Sequence, residues 1–165
     1  MTAEKINPPV NEVSRKLIEE AVSYSNFMFS KNGTLLPCIF FTQQGRSGHI
    51  MIPEIFPETK AFAAQTVHEL RKTCDCVIFV SEFWITEKKL PKGATPESIQ
   101  KMVEQDELPE QGGRRREVVG LTVHVPSRCL FITARINRNP TASLDEFETD
   151  TDTANNATMM GRFVA

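Results

Sequence analysis

Apolar residues recur along this chain at two different periods, and the switch from one to the other marks its elements. Val10, Val13, Leu17, Ala21, Tyr24 and Met28 follow one another at spacings of three and four, flanked by Ile18, Val22 and Phe29. That is a broad apolar stripe on one long helix. Asn7 followed by Pro8 predicts its N-cap and first helical residue, and Asn32-Gly33 supplies a left-handed stop. The helix is expected to cover one face of a sheet.

Residues 35–42 follow as a strand that is apolar on both pleat faces, although Pro37 removes a ladder donor and favours an edge or a strand start. Gln43 to Gly48 is a turn by composition, and residues 49–52 return as the second arm of a hairpin. A second helix is predicted over 57–73, with Phe62, Ala63, Val67 and Leu70 inward and Arg71 and Lys72 at its C-terminal end, where cations suit the dipole.

The chain is organised around residues 74–86. Val77, Phe79 and Phe83 fall on one face of this strand, and Cys76, Ile78, Val80 and Trp84 on the other, so both faces are built for burial. Ser81 and Glu82 interrupt it, and a carboxylate at that place needs a partner or a cleft. Residues 87–113 then form a long excursion rich in Lys, Pro and Gly, with one short helical pattern that starts at Thr95-Pro96-Glu97; excursions of this length in compact domains are functional or disordered. After it, Val119, Leu121, Val123 and Val125 alternate with polar or small residues. The pattern resumes beyond the Pro126-Ser127 turn with Leu130, Ile132, Ala134 and Ile136, which predicts an antiparallel hairpin.

The expected fold is therefore α+β, in the order α-β-β-α-β-(long loop)-β-β: a mostly antiparallel sheet of about five strands with two long helices packed on it. Residues 1–142 form the single domain. Residues 143–165, with Asp145, Glu146, Glu148, Asp150 and Asp152, are expected to be a disordered acidic tail.

Bulk properties narrow the function only a little. A formal net charge of −2 gives no general attraction to nucleic acid or to anionic membranes. The apolar runs are much shorter than the roughly 20 residues of a membrane-spanning helix, and the first ten residues hold no signal-peptide core, so no membrane partner and a cytoplasmic location are expected. Cys38, Cys74, Cys76 and Cys129 all sit in apolar strand segments, as reduced buried thiols do. Cys74-Asp75-Cys76 lacks the second pair that a zinc knuckle requires. Gln44 to His49 holds anion-loop ingredients but neither the phosphate-loop pattern nor a following helix. No cofactor and no metal are expected.

Two constellations remain. Glu82 and Glu117 flank the excursion at one sheet end, and such a pair can hold a divalent metal or divide acid and base duties, with His124 as a further candidate. The plainer reading pairs Glu82 with Arg115 or Arg116 and leaves Glu117 solvated. Arg114, Arg115, Arg116, Arg128, Arg135 and Arg138 all lie in or beside the last hairpin. A strip of them would suit phosphates, hence nucleic acid, or an acidic protein, or the chain's own tail.

Ser81-Glu82-Phe83-Trp84, and Arg115-Arg116-Glu117 followed by Val118-Val119, resemble a recurring arrangement in small uncharacterised bacterial and phage proteins. In these a V-S-E-x-W strand is followed by a polar loop and an R-x-E strand opening; this chain has Gly112-Gly113 where that pattern carries a proline. The resemblance spans the stretch from the second helix to the last hairpin and implies that Glu82, Trp84, Arg115 and Glu117 recur as a cluster, without implying an activity. The expected function is a small cytoplasmic binding or accessory protein of bacterial or phage type with a protein partner, acting through the excursion, the arginine strip and the tail, with Trp84, Arg114, Arg115, Arg116 and Arg135 as binding residues. The alternative is a metal-assisted hydrolase or nuclease that uses Glu82 and Glu117.

Overall fold

In the computed structural model, residues 10–52, 57–86, 95, 97 and 115–149 are described, with only the backbone of 57–60, Trp84, Ile85, Thr86, Arg115 and Arg116. The predicted excursion, apart from Thr95 and Glu97, lies outside these residues, as do Arg114 and the chain beyond residue 149.

The first helix, α1, runs Glu12–Asn32, four residues later than the Asn7-Pro8 signal suggested. Asn11 is the N-cap, its side-chain oxygen accepting from the Ser14 N–H at 2.9 Å. A side-chain cap of this kind contributes about 1 kcal/mol. At the other end Gly33 adopts φ 67° and its N–H bonds to the Phe29 carbonyl, the stop foreseen in Asn32-Gly33. Leu17, Ile18, Ala21, Val22 and Phe29 are buried.

Strand β1 (Cys38–Gln43) turns through Gln44-Gly45, both at positive φ, into β2 (Arg46–Met51). Pro37 lies just ahead of β1, where its missing N–H disrupts no ladder and its carbonyl accepts from Ile52 at 2.8 Å. Helix α2 spans Pro57–Arg71, and β3 (Cys76–Thr86), β4 (Arg115–Val125) and β5 (Arg128–Asn137) follow. The sheet order is β2-β1-β3-β4-β5, with every pairing antiparallel, so β3 is interior as its two apolar faces require.

Each face of this sheet carries one helix. Alternation along β3 sends Cys76, Ile78 and Val80 toward α1, where they pack with Leu17, Ala21, Val119, Leu121 and Ile132. Val77, Phe79 and Phe83 point the other way, to Ala63 and Val67 of α2. Gly120 sits on this second face beneath Phe83 and Phe131, whose ring centroids are 5.8 Å apart. A Cβ there would lie 2.5 Å from Phe83 Cδ2, so only glycine lets the two rings close over the strand.

Order does not end at residue 142. Two short strands, β6 (Ser143–Leu144) and β7 (Glu148–Thr149), both pair with β5 and extend the sheet beyond the expected five strands. The segment is acidic on average, but Phe147 is buried in the α1-side core and Leu144 packs against it. Two apolar side chains three residues apart thus anchor 143–149, the opening residues of the stretch that composition marked as a disordered tail.

Candidate functional site

Glu82 on β3 and Glu117 on β4 do come together. The register pairs Glu82 with Val119 and Trp84 with Glu117, which sets the two glutamates diagonally on the same face, the one covered by α1. This is also the sheet end where α1 stops. Thr34, just past the Gly33 cap, donates its hydroxyl to Glu82 Oε1 at 3.1 Å.

The cation between them is Arg138, one residue beyond β5. Its Nε donates to Glu117 Oε2 at 3.1 Å, and its Nη2 donates to Glu117 Oε1 and lies 3.7 Å from Glu82 Oε1. Nη1 donates to the Gly33 carbonyl at 2.7 Å, and the guanidinium stands 6.0 Å from the Phe29 ring. The planar fork suits bidentate capture of a carboxylate. One side chain thereby ties the end of α1 to β3, β4 and β5.

Burial is the main cause that pushes the Glu82 carboxyl above its ordinary value, with Glu117 adding to it; the Thr34 hydroxyl, the Arg138 charge and the Leu35 N–H pull the other way. The hydrogen bond to Glu117 raises Arg138. In this arrangement a permanent cation holds the place that a metal shared by the two carboxylates would take.

Sequence reasoning sought the partner of Glu82 in Arg115 or Arg116, whose side chains lie outside the described residues; among the described residues the cation beside Glu82 is Arg138. The signal was present in the hairpin. The Pro126-Ser127 turn fixes Val125 opposite Arg128 and Val118 opposite Arg135. One further step sets Glu117 against Ile136, with Arg138 on the diagonal.

His124 does not join this cluster. It lies seven residues from Glu117 along β4, about 23 Å at strand rise, and it points to the α2 face opposite Val77 and Cys129. Proposing it as a third member alongside Glu82 and Glu117 is therefore corrected by pleat parity and distance. It is 4% exposed, and among the described residues neither ring nitrogen has a hydrogen-bond partner. Burial, helped by the Arg71 charge, pushes its pKa down to about 4. Beside it a concavity of about 260 Å³ is bounded by His68, Arg71 and Lys72 from the end of α2, by Cys74, and by the Val125-Pro126 turn.

Among the described side chains the arginines do not form one strip. Arg135 is exposed opposite Val118 on the α2 side, Arg128 stands at the far end opposite Val125, and Arg138 is engaged on the α1 side. The backbones of Arg115 and Arg116 pair with Thr86 and Ile85. All four cysteines are free thiols. Burial raises Cys38, Cys76 and Cys129 to about 11, the inert rather than the nucleophilic direction. Among the described residues no three His, Cys, Asp or Glu side chains are placed to hold a metal ion, and no helix is long and apolar enough to cross a membrane. No family model matches this chain, and neither a curated protein nor a solved structure is significantly similar to it.

Proposed function

We propose that this is a small binding or accessory protein of bacterial or phage type, working in the cytoplasm on a protein partner. The observation that carries this reading is the seat of Arg138 on Glu82 and Glu117. Of the chemistries the sequence offers, paired-carboxylate catalysis is the most specific, and it needs at least one carboxylate free to take a metal or a proton from substrate. Here Glu117 is held by two hydrogen bonds from the arginine, and Glu82 is shared between Arg138 and Thr34. The pair reads as a clasp. A protein partner is favoured over nucleic acid because Arg128, Arg135 and Arg138 lie at different ends or faces, whereas a phosphate backbone rewards cations along one track.

Thermal melting with added magnesium, manganese or zinc tests this reading against the metal-assisted hydrolase or nuclease. The expected result is an unchanged melting temperature, since a metal that binds the folded state alone would raise it. Metal-dependent stabilisation that disappears in Glu82→Gln, together with cleavage of a nucleic-acid substrate that the same variant abolishes, would establish the enzyme instead.

A further inference from the structure

We propose that the free edge of β2, with the flank of α1 beside it, takes up an extended acidic segment of a partner protein as an added strand; this rests on the binding reading above. β2 ends the sheet, and β1 is its sole neighbour among the described residues. The Gln44-Gly45 turn sets Gln43 opposite Arg46, and a two-residue hairpin closes on a hydrogen-bonded pair. Arg46, Gly48 and Ile50 therefore direct their N–H and C=O groups to β1. The Ile52 N–H keeps the same parity and bonds the Pro37 carbonyl at 2.8 Å. The outward groups belong to Ser47, His49 and Met51, and an open row of this kind is a template for strand addition.

The side chains of these three residues lie on the α1 face, since His49 and Met51 pair with Phe40 and Cys38 of that core. α1 stops short of them: all three are exposed, whereas Gly48 and Ile50 on the α2 face are partly buried. Tyr24 spans the gap. Its ring stands 5.5 Å from Phe40, which stands 6.0 Å from His49, and its hydroxyl donates to the Leu36 carbonyl at 2.7 Å. Helical spacing puts Val13, Glu20 and Phe27 on the same flank as Tyr24 and Lys31. Val13, Phe27, Leu36 and Met51, four of the five exposed large apolar side chains among the described residues, thus border one shelf beside an open strand. Residues of an added strand that oppose Ser47, His49 and Met51 share their face and lay apolar side chains on this shelf. Charge selects the occupant. From Ala21 to Ile52 the chain holds Lys31, Arg46 and His49 but no carboxylate, although its net charge is −2. Lys31 and Arg46 make no ion pair among the described residues, and Lys31 stands over the Phe27 ring at 5.6 Å. Arg46 is on the face that the intervening residues of the added strand occupy, so carboxylates at those positions complement it.

The experiment titrates the full chain with a peptide of alternating glutamate and valine, blocked at both ends and long enough to span β2. The amide resonances of Ser47, His49 and Met51 are expected to shift saturably and to exchange more slowly with solvent, while those of Gly48 and Ile50, already bonded to β1, keep their exchange rates. The lysine-valine counterpart should bind about five-fold more weakly or worse. His49→Pro removes an outward N–H without breaking a bond to β1, a place where an edge strand tolerates proline, and should weaken binding of the acidic peptide about ten-fold. Arg46→Glu, an exposed change that keeps the edge intact, should reverse the preference between the two peptides. Unmoved Ser47, His49 and Met51 amides at millimolar peptide would overturn the proposal, as would equal binding of the two peptides. A concentration-dependent dimer that His49→Pro abolishes would also overturn it, by giving the edge to a second copy of the chain. None of these outcomes bears on the metal titration that tests the binding reading, so the two can fail separately.

Discussion

The two ends of β4 each hold a polar cluster, and the two are built in opposite ways. At the Glu117 end every polar atom of interest has a partner: Arg138 bonds Glu117 and the Gly33 carbonyl, and Thr34 bonds Glu82. At the His124 end an imidazole is buried with neither nitrogen partnered among the described residues, and the nearby cations face solvent. Charges that satisfy one another hold a fold together. Polar groups left unsatisfied cost stability and are kept where they serve something else. The Glu117 end thus reads as a structural clasp, whereas the His124 end, where His124 was expected only as a further candidate beside the two glutamates, keeps an imidazole without partners among the described residues.

The largest effect is expected from breaking the clasp. Arg138→Met should leave two carboxylates facing each other on one sheet face. Removal of one partner of a well-buried pair costs about 3–5 kcal/mol, and with Arg138 44% exposed solvent screening reduces this to about 1–2 kcal/mol, read by urea denaturation at pH 7. Glu82→Gln should do far less. The amide oxygen can still accept from Thr34, Arg138 keeps Glu117, and the substitution removes a charge that burial already disfavours. The expected change is within about 0.5 kcal/mol. A loss from Glu82→Gln as large as that from Arg138→Met would mean that Glu82, and not Glu117, anchors the arginine.

Most of the fold was legible because its signals are local. The stripe from Leu17 to Phe29, the Asn32-Gly33 stop and the two-faced burial of residues 76–83 follow from periodicity, and the structure keeps all three. What was missed depends on averages or on distance. Acidic composition hid Leu144 and Phe147, which dock 143–149 on β5. Asn7-Pro8 imitated a cap that Asn11 provides. Glu82 was rightly marked as a carboxylate in need of a partner, but the partner lies 56 residues on and could be found only by carrying the hairpin register past its last strand. His124 was marked only as a further candidate beside the two glutamates. Its isolation comes from α2 closing over that face, and no local pattern reports it.

The most direct test of the account is the pH dependence of stability, measured by denaturant unfolding between pH 4 and pH 8 for the native chain and for His124→Phe. In the folded chain the pKa of His124 falls to about 4 from an ordinary 6.5, so the unfolded chain takes up the proton first. Its contribution is then complete above about pH 6.5 and is lost as pH falls toward 4, at a slope approaching about 1.4 kcal/mol per pH unit. Phenylalanine removes both the titration and the unsatisfied nitrogens, and the adjoining concavity leaves room for the ring. The variant should be as stable as the native chain at pH 7, or more so by about 1 kcal/mol, and should lack that part of the slope. A variant less stable at pH 7 with the acid slope unchanged would contradict the account, because His124 would then be a satisfied member of the core.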